Sequence, residues 1–561
     1  MVTKNDPAER TRHGASLHPF ANQVNIKAGG AAVFIILCLL LLPWLGLTLF
    51  NSKGEPREAI VAVSILESGN WILPVNYGGD IPYKPPFMAW VIAVLSYVFN
   101  GGIVTEYLSR LPSALASIAL GTGGYYWASR LRGARFGVVF ALAGVTCFEV
   151  FRASVACRLD MVLTACMVGA IYLMFNAREL PGGRRATALR YAGAWALLTC
   201  ATLTKGPVGA LLPCAAMGAY RLLRGDRFLP AFFGMLGLAL AALAVPALWY
   251  VKAYELGGEE FYRLAWEENI GRLTGTMSYD SHVKPFWYNF MTMAAGLLPW
   301  TLLLLGALFY RPWRGFKAKI KTISPGALLA LVAGSVIFIF YCIPESKRSV
   351  YLLPVYPFAC YGITVLTLRY EGKKLMRGLA TGLGALAVAV PPLFLAASAS
   401  GRFPLEAAPA WAWVLALVPM GVGVSVLRKK MRTPLGSVLA ACALYFFYLS
   451  TAMPSVLNPR SDIHAAPEIL AMNPEGGRII YTLGHGPGER LYTLNFYLGD
   501  CLRALPSEEA LDTLAPGRTV LLLSPSDTTA LRERGIEPQL FLRRSCDHRR
   551  ALWGGRKGNT P

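Results

Sequence analysis

Residues 31–50 have the sequence AAVFIILCLLLLPWLGLTLF, twenty residues with no charged side chain. An α-helix rises about 1.5 Å per residue, so this run is long enough to cross a hydrocarbon core of about 30 Å. A polar segment of about 30 residues precedes it. We therefore predict an uncleaved membrane anchor rather than a cleaved signal peptide.

The rest of the chain repeats this apolar pattern. Of its 561 residues, 55% are hydrophobic and 15% are charged. A soluble domain of this length carries more charge, so the composition predicts a polytopic α-helical membrane protein. We expect about 13 transmembrane helices, at residues 31–50, 111–129, 136–152, 161–177, 188–203, 206–222, 229–251, 290–309, 324–342, 350–367, 378–398, 409–427 and 434–452.

Lysine and arginine clusters fall in every second gap between these segments. They lie near the N-terminus and at residues 130–135, 184–190, 221–227, 311–321, 369–377 and 428–432. Short cytoplasmic loops retain such residues, so we place the clusters and the N-terminus in the cytoplasm. The same loops account for the net charge of +22, which therefore gives no support to a nucleic-acid partner.

One short apolar stretch decides the orientation of everything after it. Pro86–Phe99 has only 14 residues, fewer than a perpendicular span needs. Counting it as a span would place every later basic cluster outside. We therefore predict a juxtamembrane or re-entrant helix there. The outer face then holds two long loops, 51–110 and 252–289, and the aromatic second loop is expected to contain a helix at the lipid headgroups.

The polar C-terminal region differs in character from the apolar part. Residues 1–452 are predicted to form the transmembrane domain, and residues 453–561 a small extracytoplasmic α/β domain. Its predicted elements are β-type runs at Arg478–Leu483 and Thr519–Leu523, with a helical stretch at Ser507–Leu514 between them.

Two cysteines, Cys501 and Cys546, lie in this polar region, whereas most of the others lie in apolar segments. Disulfides persist in oxidising compartments such as a periplasm, so we predict that these two pair and stabilise the domain. Two buried free thiols are the alternative, because spacing alone does not establish disulfide geometry. The cysteines and histidines show no metal-ligand spacing.

The predicted outer face also collects charged residues at helix ends. Two are acids, Glu55 after the first span and Asp160 at the start of a later one. The cations are Lys84, Lys205, Arg272, Lys347 and Arg348. Local ion pairs and snorkelling to lipid phosphate would explain any one of them. Positive charge on four independent outer turns instead favours an anionic ligand at headgroup level, such as a phosphate.

These residues lie in motifs that resemble a known family. The motifs are Glu55-Pro56-Arg57-Glu58, Leu66-Glu67-Ser68-Gly69-Asn70-Trp71, Pro82-Tyr83-Lys84-Pro85-Pro86, Arg110-Leu111-Pro112-Ser113-Ala114, Arg158-Leu159-Asp160, Leu203-Thr204-Lys205-Gly206-Pro207, Pro285-Phe286-Trp287-Tyr288, Leu298-Pro299-Trp300, Ser346-Lys347 and Tyr351-Leu352-Leu353-Pro354. In this order, over about the first 360 residues, the chain resembles the polyprenyl-phosphate-sugar transferases. Its likeness is to the aminoarabinose transferases of lipid A and, further off, to the protein O-mannosyltransferases.

The resemblance implies a GT-C fold and transfer with inversion from a lipid-phosphate sugar. It implies that Glu55 and Asp160 are the acids beside donor and acceptor. The residues expected to bind the substrate are Arg57, Tyr83, Lys84, Lys205, Arg272, Lys347 and Arg348.

The chain departs from the family at two positions. Gly54 stands where the family has the first acid of an Asp-Glu pair, and Tyr83 stands where the lipid A enzymes have a glutamate. That glutamate can take part in metal binding. A divalent metal therefore has no support from the sequence, and no cofactor is required, because the leaving group lacks a nucleotide sugar's pyrophosphate.

Three functional classes are candidates for a membrane protein with these charged residues on one face. A lipid-linked sugar transferase explains the one-sided acids and cations, because positioned cations stabilise the leaving phosphate and a carboxylate can accept a hydroxyl proton. The acceptor would be lipid A, another glycolipid or a protein; a phosphate acceptor would need no base. A transporter or flippase would be expected to show internal repeats, and none is evident. A non-catalytic scaffold leaves the charged set unexplained.

The alternating charge pattern generates a topology prediction. With thirteen spans, the N-terminus lies inside and the C-terminus outside. A periplasm-active reporter fused after Thr451 should therefore be active, and a cytoplasm-active reporter should be silent. A signal only from the cytoplasmic reporter would overturn the assignment.

Overall fold

The computed structural model describes most of the chain. The described ranges are 19–52, 54–180, 182–271, 283–309, 323–403, 405–431, 433–471, 479–483, 490–505, 507–522, 528–542 and 552–557.

The described residues are mainly helical. The longer helices of the apolar part are α1 (Pro19–Leu41), α2 (Pro56–Ser68), α3 (Phe87–Asn100), α4 (Glu106–Arg132), α5 (Ala134–Val145), α6 (Phe148–Ser154), α7 (Leu159–Glu179), α8 (Arg184–Lys205), α9 (Val208–Leu223), α10 (Phe228–Trp266), α11 (Tyr288–Gly296), α12 (Trp300–Phe309), α13 (Pro325–Cys342), α14 (Tyr356–Arg369), α15 (Lys374–Ala399), α16 (Ala410–Leu415), α17 (Leu417–Leu427) and α18 (Thr433–Phe447).

Short helices and five strands follow. They are α19 (Met453–Leu457), α20 (Ala466–Ala471), α21 (Tyr492–Tyr497) and α22 (Thr528–Glu533), with β1 (Ile480–Leu483), β2 (Leu502–Leu505), β3 (Thr519–Leu522), β4 (Ile536–Leu542) and β5 (Leu552–Lys557).

The helices make this a multi-pass membrane protein, although they do not settle the predicted number of spans. In the described residues, 8 helices are long and apolar enough to cross a membrane, or up to 10 if each of two bent pairs counts as one span. The bent pairs are α5 with α6, at 72°, and α11 with α12, at 108°. The other three predicted spans correspond to α4 and α8, which are more polar, and to α9, which has 16 residues. Thirteen spans therefore stays a prediction.

The two helices that the sequence predicts between the membrane spans are present. Pro86–Phe99 forms α3, a short apolar helix that begins directly after two prolines. The predicted loop 252–289 is helical over its first part, because α10 continues to Trp266 across a kink at Gly258, where φ is 56°. Glycine tolerates this left-handed conformation, so the helix changes direction there.

The turn between α8 and α9 brings these two helices close together. Gly206 has φ of 82°, and a helix resumes at Val208 after Pro207. A Cβ at Gly209 would lie 2.4 Å from the backbone carbon of Ala201. Only glycine fits this approach, so Lys205 is held at the very end of α8.

The C-terminal strands form one five-stranded sheet with the order β2-β1-β3-β5-β4. β1 pairs in parallel with β2 and β3, while β5 is antiparallel to β3 and β4. β1 and β3 lie where the sequence predicts strands, and the stretch predicted to be helical holds a 3₁₀ turn at Glu508–Leu511.

The segment around α21 docks against the loop that follows α1. Asp500 accepts hydrogen bonds from the Tyr77 amide (2.9 Å) and the Ser64 hydroxyl (3.1 Å). Arg490 pairs with Asp80 through two nitrogens, at 2.9 and 3.1 Å. Contacts separated by more than 400 residues in sequence therefore fix the position of this loop.

A buried ion pair fixes the other end of the same loop. Arg110 of α4 donates to both oxygens of Glu55, at 2.9 and 3.3 Å. It also donates to the carbonyl oxygens of Leu45 and Thr48, which lie beyond the end of α1. The Cys157 amide donates to Glu55 at 3.1 Å. One guanidinium and one carboxylate thus join three segments before α2 begins.

The substitution Arg110→Met tests this pair. Removing one partner leaves a buried charge uncompensated, so we expect a loss of about 3–5 kcal/mol in stability. Thermal unfolding of the purified protein in detergent would measure it. The matched control is Arg135→Met, which breaks the more exposed Arg135–Glu371 pair and should cost about 0–1 kcal/mol. Adding Glu55→Gln to Arg110→Met should recover part of the loss, because it removes the uncompensated carboxylate. If Arg110→Met were as stable as Arg135→Met, Arg110 and Glu55 would not form a stabilising buried pair.

Candidate active site

A cavity opens where α2, the Tyr83-Lys84 segment, α7, α8 and the segment between α13 and α14 meet. Its open volume is about 1220 Å³, counting the mouth. Its charged lining residues are Arg57, Lys84, Arg158, Lys205, Arg348, Glu58, Asp80 and Asp160. Five cations and three acids therefore share one cavity, with positive charge in excess.

The acid and the cation predicted from two separate motifs meet in this cavity. Asp160 lies in the first turn of α7 and Lys205 is the last residue of α8. The Lys205 Nζ atom lies 2.5 Å from Asp160 Oδ1 and 4.0 Å from the centre of the Tyr351 ring. The ends of two antiparallel helices thus hold a lysine between a carboxylate and an aromatic face.

A second cationic group surrounds Tyr83. The Arg57 Nη2 atom donates to the Tyr83 hydroxyl at 2.9 Å, and the guanidinium also lies over the ring. The Lys84 Nζ atom lies 4.9 Å from the ring centre and 4.0 Å from a Glu268 oxygen. Solvent reaches Arg57 although protein surrounds it. Cations held on an aromatic face keep their N–H groups available to an anion.

Glu55 requires a correction. The sequence suggests that it acts on the substrate, but it does not line the cavity. Its side chain is buried, and both oxygens are bonded to Arg110. An exposed acid near a membrane exit and a buried acid in an ion pair look alike in sequence, since the partner lies 55 residues away. We assign Glu55 a structural role.

Glu58 occupies the place in the cavity that was expected of Glu55. It lies one turn into α2, which begins with Pro56, and it lines the cavity. Burial raises the pKa of the Glu58 carboxyl, while Arg57 and Lys84 act in the opposite direction. Glu58 is the last residue of the Glu55-Pro56-Arg57-Glu58 motif, but the motif alone predicts no role for it. Its helical offset from Glu55 is the signal that could have found it, because residues three apart lie on neighbouring faces of a helix.

The remaining predicted residues fall into three groups. Arg348 lines the cavity. Lys347 is buried beside it, and its Nζ atom donates to the Lys284 carbonyl at 3.3 Å, so it supports the wall rather than facing the space. Arg272 lies outside the described residues, as does Cys546. Cys501 is buried, and its pairing with Cys546 stays a prediction.

Three lining residues were not predicted from sequence. Asp80 pairs with Arg490, and Tyr492 donates to Asp80 at 3.3 Å and also lines the cavity. Arg158 is the third. Across the described ranges, no group of three or more His, Cys, Asp or Glu side chains is placed to hold a metal ion.

One segment of the apolar part matches a known protein family. Residues 83–250 match the model described as dolichyl-phosphate-mannose-protein mannosyltransferase. This range includes Lys84, Asp160 and Lys205, three of the charged residues that meet in the cavity.

Curated relatives match over longer stretches. A protein of Aquifex aeolicus is 26% identical over 78% of this chain and 81% of its own length. The undecaprenyl phosphate-alpha-4-amino-4-deoxy-L-arabinose arabinosyl transferase of Erwinia tasmaniensis is 26% identical over 71% of this chain and 66% of its own length. The transferase of the same name from Edwardsiella ictaluri is 28% identical, over 58% and 56%. These matches thus cover between 56% and 81% of the relatives' own lengths.

Solved structures give the fold. Apo ArnT from Cupriavidus metallidurans superimposes with a TM-score of 0.72 at 22% identity, over 95% of this chain and 98% of that one. ArnT bound to undecaprenyl phosphate gives 0.71 at 21% identity, over 96% and 98%. The archaeal oligosaccharyltransferase AglB gives 0.50 over 90% of this chain. The chain therefore has the GT-C fold of ArnT and, as its motifs predict, resembles the polyprenyl-phosphate-sugar glycosyltransferases.

Proposed function

We propose that the protein is an integral-membrane glycosyltransferase that moves a sugar from a polyprenyl-phosphate donor to an extracytoplasmic acceptor with inversion. The observation that carries this proposal is the cavity itself, where Arg57, Lys84 and Lys205 surround one space at the ends of apolar helices. A lipid phosphate lies at the depth where such helices end, so its headgroup can reach these cations while its chain stays in the bilayer.

The arrangement suits the departure of a phosphate. Breaking a glycosyl phosphate bond develops negative charge on the leaving oxygen, and positioned cations stabilise that charge without reorganising. Lys205 is held in place by Asp160 and Tyr351, and Arg57 and Lys84 by Tyr83. Asp160 orients Lys205 and faces the region where donor and acceptor meet. Arg272 and Arg348 complete the phosphate-binding set.

Undecaprenyl phosphate is the donor lipid that the comparisons favour. It is bound in one ArnT structure and it is part of the name of the matched transferases. We therefore propose a bacterial inner (plasma) membrane as its location, with the cavity and the C-terminal domain on the extracytoplasmic side. The sugar is a pentose or a hexose, and the acceptor is lipid A, another glycolipid or a protein. The proposed reaction requires no cofactor.

A transporter or flippase of anionic lipids is the alternative. Its charged groups would be expected along a path through the bilayer, near midplane helix breaks. Here the cations and acids are gathered in one cavity at one end of the helices. The resemblance to glycosyltransferases likewise favours the transferase.

Loss of a surface sugar is the first test. A strain lacking the gene should lose a pentose or hexose from a surface lipid or glycoprotein, and the native gene should restore it, as measured by mass spectrometry. The Asp160→Asn variant should insert normally but restore under one hundredth of the product, because the neutral side chain no longer orients Lys205. Full restoration by this variant would assign Asp160 a structural role only.

Donor binding is a separate test of the cations. Lys84→Ala removes one charge-assisted contact, which contributes about 1.5–3 kcal/mol, so undecaprenyl phosphate should bind about 10- to 150-fold more weakly. Binding to protein in nanodiscs would be measured by a fluorescence or thermal-shift titration. Arg272→Ala is expected to behave in the same way.

Lys252→Ala is the matched control for these variants. Lys252 is exposed on α10 and pairs with Glu255 outside the cavity. Its loss should leave binding unchanged. If the Lys84→Ala variant bound undecaprenyl phosphate as tightly as this control does, Lys84 would not bind the donor. Its position would then be explained by a side chain that extends to the phosphates of bulk lipid.

A further inference from the structure

Three carboxylates line the cavity, and two of them are already engaged by cations. Asp160 is bonded to Lys205 at 2.5 Å. Asp80 is bonded to Arg490 through two nitrogens and accepts from Tyr492. Within the described ranges, Glu58 has no hydrogen bond and no ion pair within 4.0 Å. It is the cavity carboxylate whose oxygens are open to a ligand.

The surroundings of Glu58 hold it firmly in the cavity. α2 is fixed at its start by the Glu55–Arg110 pair and along its length by the buried residues Ala59, Ile60 and Ile65. Glu58 lies in the first turn of this helix and lines the cavity together with Val61, about one turn further along. Its position is therefore set by backbone packing rather than by a side-chain partner.

The charged groups that act on Glu58 come from three segments. Arg57 of α2 and Lys84 before α3 favour the carboxylate, whereas Asp160 of α7 and burial favour the neutral acid. The net effect raises the pKa of the Glu58 carboxyl above its ordinary value. A base with a raised pKa accepts a proton more readily than an ordinary glutamate does.

The space next to Gly54 is filled by a cation. A Cβ added at Gly54 would lie 2.9 Å from Arg158 Nη2. Gly54 thus admits the Arg158 guanidinium, and no carboxylate side chain stands at that position. The loop supplies the cavity with Glu58 in place of an acid at residue 54.

We propose that Glu58 is the general base of the proposed transfer and that the acceptor is therefore an alcohol, a sugar or protein hydroxyl, rather than a phosphate. The inference rests on the proposed function. The acceptor oxygen forms a bond to the anomeric carbon, and the bond from that carbon to the phosphate oxygen breaks. The electron pair leaves with polyprenyl phosphate, and the hydroxyl proton passes to Glu58, which releases it to water.

A phosphate acceptor fits this site less well. A phosphate monoester is already ionised near neutral pH and needs no base. Its charge would also be repelled by negative charge on Glu58. An alcohol has a proton to lose, and the open Glu58 oxygens can accept a hydrogen bond from it.

The test uses the gene-deleted strain complemented with full-length variants. Glu58→Gln keeps the size of the side chain and removes the base, so product should fall about 10²- to 10⁴-fold. Glu58→Asp keeps the carboxylate and should retain more activity than Glu58→Gln. Glu67→Gln is the matched control, because Glu67 is an exposed residue at the far end of the same helix. Each purified variant should bind undecaprenyl phosphate within about twofold of the native protein, which shows that it is folded.

The linkage of the product gives an independent readout. A sugar on a hydroxyl is a glycoside that survives mild acid, whereas a sugar on a phosphate is an acid-labile diester with its own ³¹P resonance. An acid-stable product that Glu58→Gln fails to make supports the inference. An acid-labile product, or native yield from Glu58→Gln, overturns the role of Glu58 but leaves the transferase standing. If the native gene restores no sugar at all, the proposed function fails and the inference fails with it.

Discussion

The buried pair between Arg110 and Glu55 is the interaction on which the site depends. The Arg110 guanidinium binds the segment after α1 and the start of α2, and the Glu55 carboxylate accepts from the Cys157 amide just before α7. A bare charge at this depth is costly, and the two groups are satisfied only by each other and by nearby backbone. Their geometry therefore permits little variation. The direction in which α2 leaves the pair decides which of its side chains reach the cavity.

The cations of the cavity have two kinds of neighbour. Lys205 is neutralised in part by Asp160, and Lys84 by Glu268, whereas Arg57 lies over the ring of an uncharged tyrosine. A ring orients a cation without cancelling its charge. An incoming anion thus meets positive charge that is already oriented. Tyr83 replaces the glutamate of the lipid A enzymes, so it also changes the charge of this wall.

Much of this site could be predicted from the sequence, because helix ends are marked by local signals. Lys205 is followed by Gly-Pro and Asp160 opens an apolar run, and the charge alternation places both on one face. The sequence does not predict which acidic side chain forms an ion pair with which basic side chain. Glu55 and Glu58 differ by less than one turn, and only the position of Arg110 shows that the first is buried and the second is open. Hydropathy alone does not count α4 and α8 as spans, because both helices carry polar residues. Packing against neighbouring helices accommodates these residues, and a local sequence signal does not show that packing.

Local sequence patterns do not predict the contacts of the C-terminal region, because the paired residues Asp80 and Arg490 lie 410 residues apart. Tyr492 nonetheless forms part of the cavity wall. The two regions that appear separate along the chain therefore share a single chamber. Substitutions around α21 can therefore reshape one wall of that chamber while the packing of the membrane helices stays unchanged. The shape of the chamber can thus change from the C-terminal region without any change in the cations that the helices supply.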